Sequence, residues 1–406
     1  MARSMVLMRL SALVVFVSLG ACDSQVFFNP IAEGVDEIEI ETLRVEPSGY
    51  TVVSTDTSNN SANVFLVEGF DLFGNSAGAS PIGVDVGPLV ESKSRASLAP
   101  TSDGGYVLFG LAPAEPFPSQ TSQMYLAKLD ATGGVQWYTP VFEPRERFIE
   151  GAVQELPGGG YAAQFWEEID PGSGDAVTHV ARFDANGDQV WMKDLEPRPG
   201  SNLGLRALSD GTFAYTTRVP DAETLDDVEL VKLDALGDEL WRQRHHFEDL
   251  DVRAVAPPVA TSDGGFLLAG SDYGQFTDGA HRAWMSKTDA SGVAQWVRHF
   301  GGDVRTEGGN PVEAADGGYA MRITRTIQSH PFVGIVHTDA NGDAPWTQVY
   351  GTPSCAQSRG ILRLANDGGF VLATQPDVSS NLAAYLIKTD SLGNAPAAPA
   401  DCIEPI

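Results

Sequence analysis

The chain has 406 residues, and its 54 acidic side chains outnumber 26 basic ones to give a formal net charge of −28. A surface this acidic repels phosphate backbones, and because no cluster of Lys and Arg forms a basic patch, the composition argues against nucleic-acid binding. After the N-terminal leader, no segment of the sequence is long and apolar enough to cross a membrane.

Residues 1–21 read as a processing signal rather than as part of the fold. Arg3 and Arg9 supply its positive region, and the apolar stretch 10–19 is too short to span a bilayer. The segment ends in Leu19-Gly20-Ala21-Cys22, which resembles a bacterial lipobox. The resemblance implies cleavage before Cys22, acylation of that cysteine with chains such as palmitate, and anchoring to the inner or the outer membrane of the cell envelope. The alternative is an ordinary secretory signal followed by an incidental cysteine.

A turn that contains glycine precedes an aromatic residue and an apolar run seven times along the chain. The clearest copy is Asp103-Gly104-Gly105-Tyr106, followed by Val107-Leu108-Phe109. A fixed period of roughly 50 residues is typical of proteins in which each repeat is one supersecondary unit. The aromatic residues, which follow one another at intervals of 51 to 56 residues, are Tyr50, Tyr106, Tyr161, Phe213, Phe266, Tyr319 and Phe370.

Each unit is predicted to contain four short strands joined by tight turns. Asp103-Gly104 between two extended segments predicts a hairpin with a type I′ turn, in which both central residues have positive φ. A second turn of the form Asp-x-x-Gly joins the third and fourth strands. We expect its Asp side chain to accept hydrogen bonds from the turn amides and its Gly to be left-handed. Copies of this second turn begin at Asp130, Asp184, Asp234, Asp289 and Asp339.

A tryptophan follows the aspartate of this second turn by seven residues in five units. A Trp at one fixed position per unit favours packing between neighbouring units over a binding site. The first and last units lack this residue, as terminal repeats often do. The five tryptophans are Trp137, Trp191, Trp241, Trp296 and Trp346.

Seven four-stranded antiparallel units predict an all-β fold, a seven-bladed β-propeller. It is expected to form a single domain over residues 38–406, after a linker at 22–37; an open β-solenoid is the alternative. The last unit lacks an outer strand, which either residues 25–28 or residues 402–406 would supply. Cys355 and Cys402 lie 47 residues apart in an exported, oxidising setting, so we expect a disulfide that closes this seam, unless both are free thiols.

The alternation of strand direction places the long, irregular connections at one end of the ring and the tight turns at the other. Variable loops on a rigid scaffold are where binding surfaces usually lie, so the end with the long loops is predicted to bind a partner. The candidate residues on this face are Arg145, Arg147, Trp166, His245, His246, Tyr273, Arg305 and Glu307.

The segment from Leu129 to Trp137 resembles the Asp-x-x-x-Gly-x-x-x-Trp core of quinoprotein-type propeller repeats, with one residue fewer between Asp and Gly, and the likeness recurs in four further units. That family contains pyrroloquinoline quinone dehydrogenases and non-enzymatic lipoproteins. The Asp-Gly-Gly-aromatic and Lys-x-Asp patterns look closer to uncharacterised exported bacterial propellers. Seven units rather than eight and the lack of an adjacent Cys-Cys pair depart from the quinone enzymes, so no cofactor is predicted.

Motifs for catalysis or metal binding are sparse. The segment Asp184 to Asp188 resembles the start of a calcium loop, but Gln189 occupies the position that needs Gly, and a hairpin turn is favoured. No metal ligand or catalytic residue is assigned, and enzymatic activity is left open. The predicted function is a membrane-anchored binding or scaffolding module of the bacterial envelope, with a protein or glycan partner. The alternative is an envelope hydrolase or lyase with its active site on the long-loop face.

Overall fold

The computed structural model describes residues 26–31, 38–56, 64–76, 82–85, 97–113, 122–141, 148–168, 175–199, 204–219, 227–247, 252–273, 281–351, 357–376 and 384–396. These residues form 29 β-strands arranged in seven antiparallel sheets, and they contain no helix. The predicted seven-bladed β-propeller is therefore confirmed. Among the same residues, no helix is long and apolar enough to cross a membrane.

In six blades the four strands follow one another along the chain, and we label them a to d in that order. Blade 1 contains β2 (Ile38–Glu46), β3 (Gly49–Asp56), β4 (Val64–Asp71) and β5 (Ile82–Asp85); blade 2 contains β6 (Ser97–Pro100), β7 (Tyr106–Pro113), β8 (Ser122–Leu129) and β9 (Val135–Pro140). Blade 3 contains β10 (Phe148–Glu155), β11 (Tyr161–Glu168), β12 (Asp175–Phe183) and β13 (Gln189–Pro199); blade 4 contains β14 (Gly204–Ala207), β15 (Phe213–Val219), β16 (Asp227–Leu233) and β17 (Glu239–His245).

In blade 5 strand a is divided into β18 (Val252–Val255) and β19 (Val259–Ala260), which both pair with β20 (Phe266–Asp272). Strands c and d of this blade are β21 (Arg282–Thr288) and β22 (Ala294–Gly301). Blade 6 contains β23 (Thr306–Glu313), β24 (Tyr319–Ile327), β25 (His330–Thr338) and β26 (Trp346–Val349). The a strands of neighbouring blades contact one another, so they surround the central axis and the d strands form the outer rim.

Blade 7 closes the ring with a strand from the other end of the chain. Its strands a to c are β27 (Gln357–Leu364), β28 (Phe370–Pro376) and β29 (Ala384–Lys388), and its strand d is β1 (Phe27–Ile31). The pairing runs from Phe27 opposite Lys388 to Ile31 opposite Ala384. Of the two closing segments considered from sequence, the N-terminal one forms the strand, so five residues of the predicted linker belong to the propeller. Cys355 and Cys402 lie outside the described residues.

The predicted type I′ turn at Asp103-Gly104 is wrong. Gly104 has φ of 85°, whereas Asp103 is not among the residues with positive φ. The Gly104 amide donates to the Thr101 carbonyl at 3.1 Å, and the Thr101 amide donates to the Gly105 carbonyl at 2.8 Å. This pattern is a three-residue loop, a type I turn followed by a left-handed residue, which needs only one positive φ.

The second turn has the predicted features. Asp130 Oδ1 accepts hydrogen bonds from the amides of Thr132 and Gly134 at 2.8 and 2.9 Å, and Gly133 has φ of 84°. Asp184 makes the same contacts with the amides of Asn186 and Asp188, so its segment is a hairpin turn.

The apolar core lies between adjacent blades. All seven aromatic residues that begin strand b are buried, with exposed fractions between 1% and 7%. In the five blades that carry a Trp on strand d, its ring lies 5.5 to 5.9 Å from the aromatic residue that begins strand b of the next blade. The left-handed Gly of the next blade lies against the same ring; a Cβ at Gly292 would overlap Trp241. These tryptophans therefore pack one blade against the next.

Candidate binding face

The two ends of the ring differ in their connections. The b–c connections and the links between consecutive blades lie at one end, which we call the long-loop face. The a–b and c–d hairpins lie at the other end, the short-turn face, because strand direction alternates within each antiparallel blade. Blade 6 departs from the pattern: its b–c connection is a two-residue turn in which Gln328 and Ser329 have φ of 51° and 69°.

The residues nominated from the sequence fall into three groups. Arg145 and Arg147 lie outside the described residues. Trp166 lies in β11, but its side chain is outside the described set. The other five are described and occupy two places on the long-loop face: His245 and His246 at the end of β17, and Tyr273, Arg305 and Glu307 where blades 5 and 6 meet.

Four side chains meet at the second of these places, and we call them the Tyr273 cluster: Tyr273, His281, Arg305 and Glu307. Tyr273 follows strand b of blade 5, and His281 precedes strand c of the same blade. Their rings lie 5.0 Å apart, tilted by 30°. The Arg305 guanidinium lies 5.9 Å from the centre of the Tyr273 ring, close enough for a cation–π interaction.

Arg305 is held in this position by an ion pair and by the backbone around it. Its Nε and Nη2 donate to Glu307 Oε1 at 3.0 and 2.6 Å, and these bonds with the carboxylate raise the pKa of Arg305. The Thr306 amide donates to the His281 carbonyl at 3.0 Å, which ties blade 6 to blade 5. The Arg305 carbonyl accepts from the Thr326 amide at 2.8 Å.

Further ion pairs beside this cluster were not found from the sequence. Arg325 donates to Asp303 at 2.8 Å, and the positive charge lowers the pKa of Asp303. Asp272 is fully buried, and its carboxylate lies 3.7 Å from Arg282 Nη1. The sequence marks this pair only by its position: Asp272 ends β20 and Arg282 begins β21, and the two residues lie opposite each other.

The two adjacent histidines of blade 4 have opposite environments. His246 has a side chain that is 52% exposed, and its Nδ1 lies 2.7 Å from Asp227 Oδ1. The Asp227 carboxylate also accepts a hydrogen bond from Arg244 Nε, which holds it in place.

His245 is instead part of the packing between blades 4 and 5. Its exposed fraction is 6%, and its ring stacks 6.0 Å from Phe247, which packs in turn on Trp284. Burial lowers the pKa of His245. Of the two histidines nominated together, only His246 is available to a partner.

The short-turn face carries a repeated ion pair with a buried lysine. Lys287 Nζ donates to Asp263 at 2.8 Å and to the Thr288 carbonyl at 2.7 Å, and the lysine side chain is 1% exposed. Lys128 with Asp103 and Lys388 with Asp367 repeat the contact in blades 2 and 7. Each lysine lies on strand c and each aspartate in the a–b turn, so the pair fixes the inner hairpin to the rest of its blade.

In the part of the chain that the structure describes, no group of three or more His, Cys, Asp or Glu side chains could hold a metal ion. On the described part of the long-loop face, the Tyr273 cluster offers an aromatic ring beside paired charges, and the His246–Asp227 pair offers an imidazole beside a carboxylate.

No family model and no curated protein matches the chain. Solved structures do resemble it. An ulvan lyase of polysaccharide lyase family 25, bound to -[GlcA(1-4)Rha3S]-, has a TM-score of 0.55 and 9% identity, over 89% of this chain and 93% of that one. A puromycin hydrolase has a TM-score of 0.50 and 15% identity, over 89% of this chain and 55% of that one. A prolyl endopeptidase has a TM-score of 0.47 and 13% identity, over 83% and 46%.

The chain thus spans about half the length of the puromycin hydrolase and of the prolyl endopeptidase. For the ulvan lyase and the puromycin hydrolase, at identities of 9% and 15%, the likeness shows a shared propeller fold and nothing about activity.

Proposed function

We propose that this protein is a lipid-anchored binding module of the bacterial cell envelope whose long-loop face contacts a protein or a glycan. The observation that carries the proposal is the Tyr273 cluster. It combines an aromatic ring, a guanidinium and a carboxylate on one small area of that face.

The composition of the cluster suits recognition. Tyrosine and arginine are enriched among the residues that dominate binding energy, because they combine a large contact area with directed hydrogen bonds. The Arg305 and Glu307 side chains are 52% and 31% exposed, and Tyr273 is partly exposed, so a partner can reach all three. Since the ion pair and the backbone bonds already hold Arg305, binding would lose little side-chain entropy.

The direction of β1 supports the choice of face. Phe27 pairs with Lys388, beside the turn that begins at Asp390 after strand c of blade 7, so β1 begins at the short-turn face. Cys22 precedes Phe27 by five residues, a reach of at most about 18 Å for an extended chain. An acylated Cys22 would therefore hold the short-turn face close to the membrane and leave the long-loop face directed away from it.

The test begins with the full chain in detergent, presented to arrays of envelope glycans and to envelope extracts. The affinity of each retained partner is then measured for two variants, Tyr273→Ala and Arg305→Ala. We expect each to weaken binding at least about tenfold, since hot-spot truncations cost on the order of 2 kcal/mol. Tyr138→Ala is the matched control, because Tyr138 is 57% exposed but lies on the outer strand of blade 2. A partner that loses affinity with the control and not with Tyr273→Ala would refute the proposed face.

A second candidate function, a hydrolase or lyase of the envelope, is favoured by the His246–Asp227 pair. An aspartate at 2.7 Å from Nδ1 orients the ring and supports a proton on that nitrogen, which leaves Nε2 to act as a general base. Some structural neighbours are described as a hydrolase and as a lyase. Turnover in a screen of glycans and peptides that disappears in both His246→Gln and Asp227→Asn would favour this candidate. Turnover that survives in both variants would exclude this pair as the catalytic site.

A further inference from the structure

Three arginines occupy one level of the central channel. Arg44, Arg206 and Arg363 lie on the a strands of blades 1, 4 and 7, and each pairs with the residue directly after the aromatic start of strand b. The partners in strand b are Thr51, Ala214 and Val371. The shared register places the three arginines one layer inside the short-turn end of the channel. The other four positions of this layer are held by the uncharged residues Ala99, Gln154, Val259 and Val312.

The charge of Arg44 is already balanced by groups of its own blade and of blade 2. Its Nη1 donates to the Thr101 carbonyl at 3.0 Å, and its Nε lies 3.5 Å from Glu46. Arg206 and Arg363 differ. Within the described ranges neither forms an ion pair with a carboxylate, although the protein has 54 acidic residues. Arg206 Nε is buried and has no hydrogen-bond partner there, while Arg363 Nη1 donates to the Leu362 carbonyl at 2.9 Å.

The two arginines act on one another across the channel. Blades 4 and 7 are not neighbours in the ring, so their inner strands lie on separate parts of the channel wall. Burial lowers the pKa of Arg206, and burial together with the positive charge of Arg206 lowers the pKa of Arg363 to about 10. Both side chains remain partly accessible to solvent, as channel-lining groups are. Two like charges that are desolvated and face each other are unfavourable until an anion lies between them.

We propose that Arg206 and Arg363 form an anion-binding site in the central channel, which takes the oxyanion group of a ligand: a sulfate, a phosphate or a carboxylate. A guanidinium presents parallel N–H donors that match two oxygens of such a group, and two guanidiniums on opposite walls supply donors to both sides. Gln154 is on the same layer, but its amide is used to bond Leu205 and Ala207 of blade 4. The site is distinct from the long-loop face and does not depend on the function proposed for that face.

The probes are inorganic sulfate, inorganic phosphate and malonate, added at millimolar concentration against chloride of equal ionic strength. The melting temperature and calorimetric titration are measured for the full chain, for Arg206→Gln, for Arg363→Gln and for the double variant. We expect at least one oxyanion to raise the melting temperature in a saturable way. Each single substitution should weaken its binding about tenfold, since a charge-assisted hydrogen bond contributes about that factor. Preference for malonate would identify a carboxylate ligand, and preference for sulfate or phosphate an inorganic or esterified one.

The sign of the change in melting temperature caused by Arg363→Gln distinguishes an anion-binding site from a structural role for the arginines. In chloride alone, Arg363→Gln should leave the melting temperature unchanged or raise it, because it removes a repelling charge. With saturating oxyanion the same variant should melt below the parent protein. Arg298→Gln is the matched control, since Arg298 lies outside the channel and bonds the Val297 and Asn341 carbonyls. Equal destabilisation by Arg363→Gln with and without oxyanion would overturn the proposal, as would saturable binding that both channel variants retain.

Discussion

Replacing Asp263 by Asn tests whether the buried lysines of the short-turn face depend on their aspartates. The Lys287 ammonium is almost fully buried, and Asp263 is the carboxylate in direct contact with it among the described residues, at 3.0 and 2.8 Å from its two oxygens. Asparagine preserves the size of the side chain and an oxygen that accepts from Thr261 and Gly265, but it removes the charge. The substitution should therefore destabilise the folded protein through Lys287.

The size of this loss in stability follows from the lowered pKa of the Asp263 carboxylate. Its bonds with Lys287 and Thr261 lower the pKa of Asp263 from 3.8 to about 2. At 1.36 kcal/mol per pKa unit this corresponds to at most about 2.5 kcal/mol. Because the Asp263 side chain is 53% exposed and screened by solvent, we expect a loss of about 1–2 kcal/mol in the free energy of unfolding.

Urea denaturation of a double-mutant cycle measures this value. In a Lys287→Met background the Asp263→Asn change should cost close to nothing, so the coupling free energy should be about 1–2 kcal/mol. Asp184→Asn is the control, since Asp184 accepts from the amides of Asn186 and Asp188 in the c–d turn of blade 3 and forms no ion pair among the described residues. The reasoning is refuted if Asp263→Asn destabilises equally with and without Lys287.

The other predictions concern the blade interfaces, the closure of the ring and the anchor. Trp241→Ala should lower the free energy of unfolding, measured in urea, by about 2–3 kcal/mol. This is less than for a fully buried Trp, because the Trp241 side chain is partly exposed. No change would show that its contact with Phe266 is not stabilising. Because His245 has a lowered pKa, the unfolded state takes up a proton before the folded state does, and stability should fall as pH decreases through 6.5. His245→Phe should make the melting temperature depend less steeply on pH in this range. An unaltered dependence would assign the effect to other groups. A chain that begins at residue 32 lacks β1 and should melt far below one that begins at residue 25, because Ile31 is fully buried in the blade 7–blade 1 core; equal melting would contradict closure by β1. Cys22→Ser should move the protein from the membrane to the soluble fraction, and continued sedimentation with membranes would assign the anchor to another segment.

The repeat in the sequence was sufficient to predict the propeller fold, because one aromatic residue per unit packs in the core between blades. The aromatic residue that begins strand b is buried in every blade, so its period of 51 to 56 residues counts the blades directly. The turn type could not be read as reliably. Asp103-Gly104 fits both a two-residue and a three-residue loop, and the pairing of Pro100 with Tyr106 leaves room only for the longer one. The type I′ geometry occurs instead at Gln328-Ser329, where no Gly marks it.

The candidate site depended more heavily on tertiary structure. Tyr273, His281 and Arg305 are separated in sequence by stretches of different length, and they meet because blades 5 and 6 are adjacent. Likewise, His245 and His246 are identical residue types in one dipeptide. His245 is the last residue of β17 and is buried between blades, whereas His246 follows the strand, and its side chain lies on the other side and is exposed.

Local patterns in the sequence are enough for the number of blades, the order of strands in six of them and the positions of the short turns, since each of these depends on residues close together in the chain. The completion of blade 7 by β1 is visible only in the folded chain, because that pairing joins residues more than 350 positions apart and no local pattern encodes it. The folded chain also shows which charges form no ion pair among the described residues. Arg206 and Arg363 are unremarkable in the sequence, and the ring of seven blades brings the inner strands of their two distant repeats around one channel.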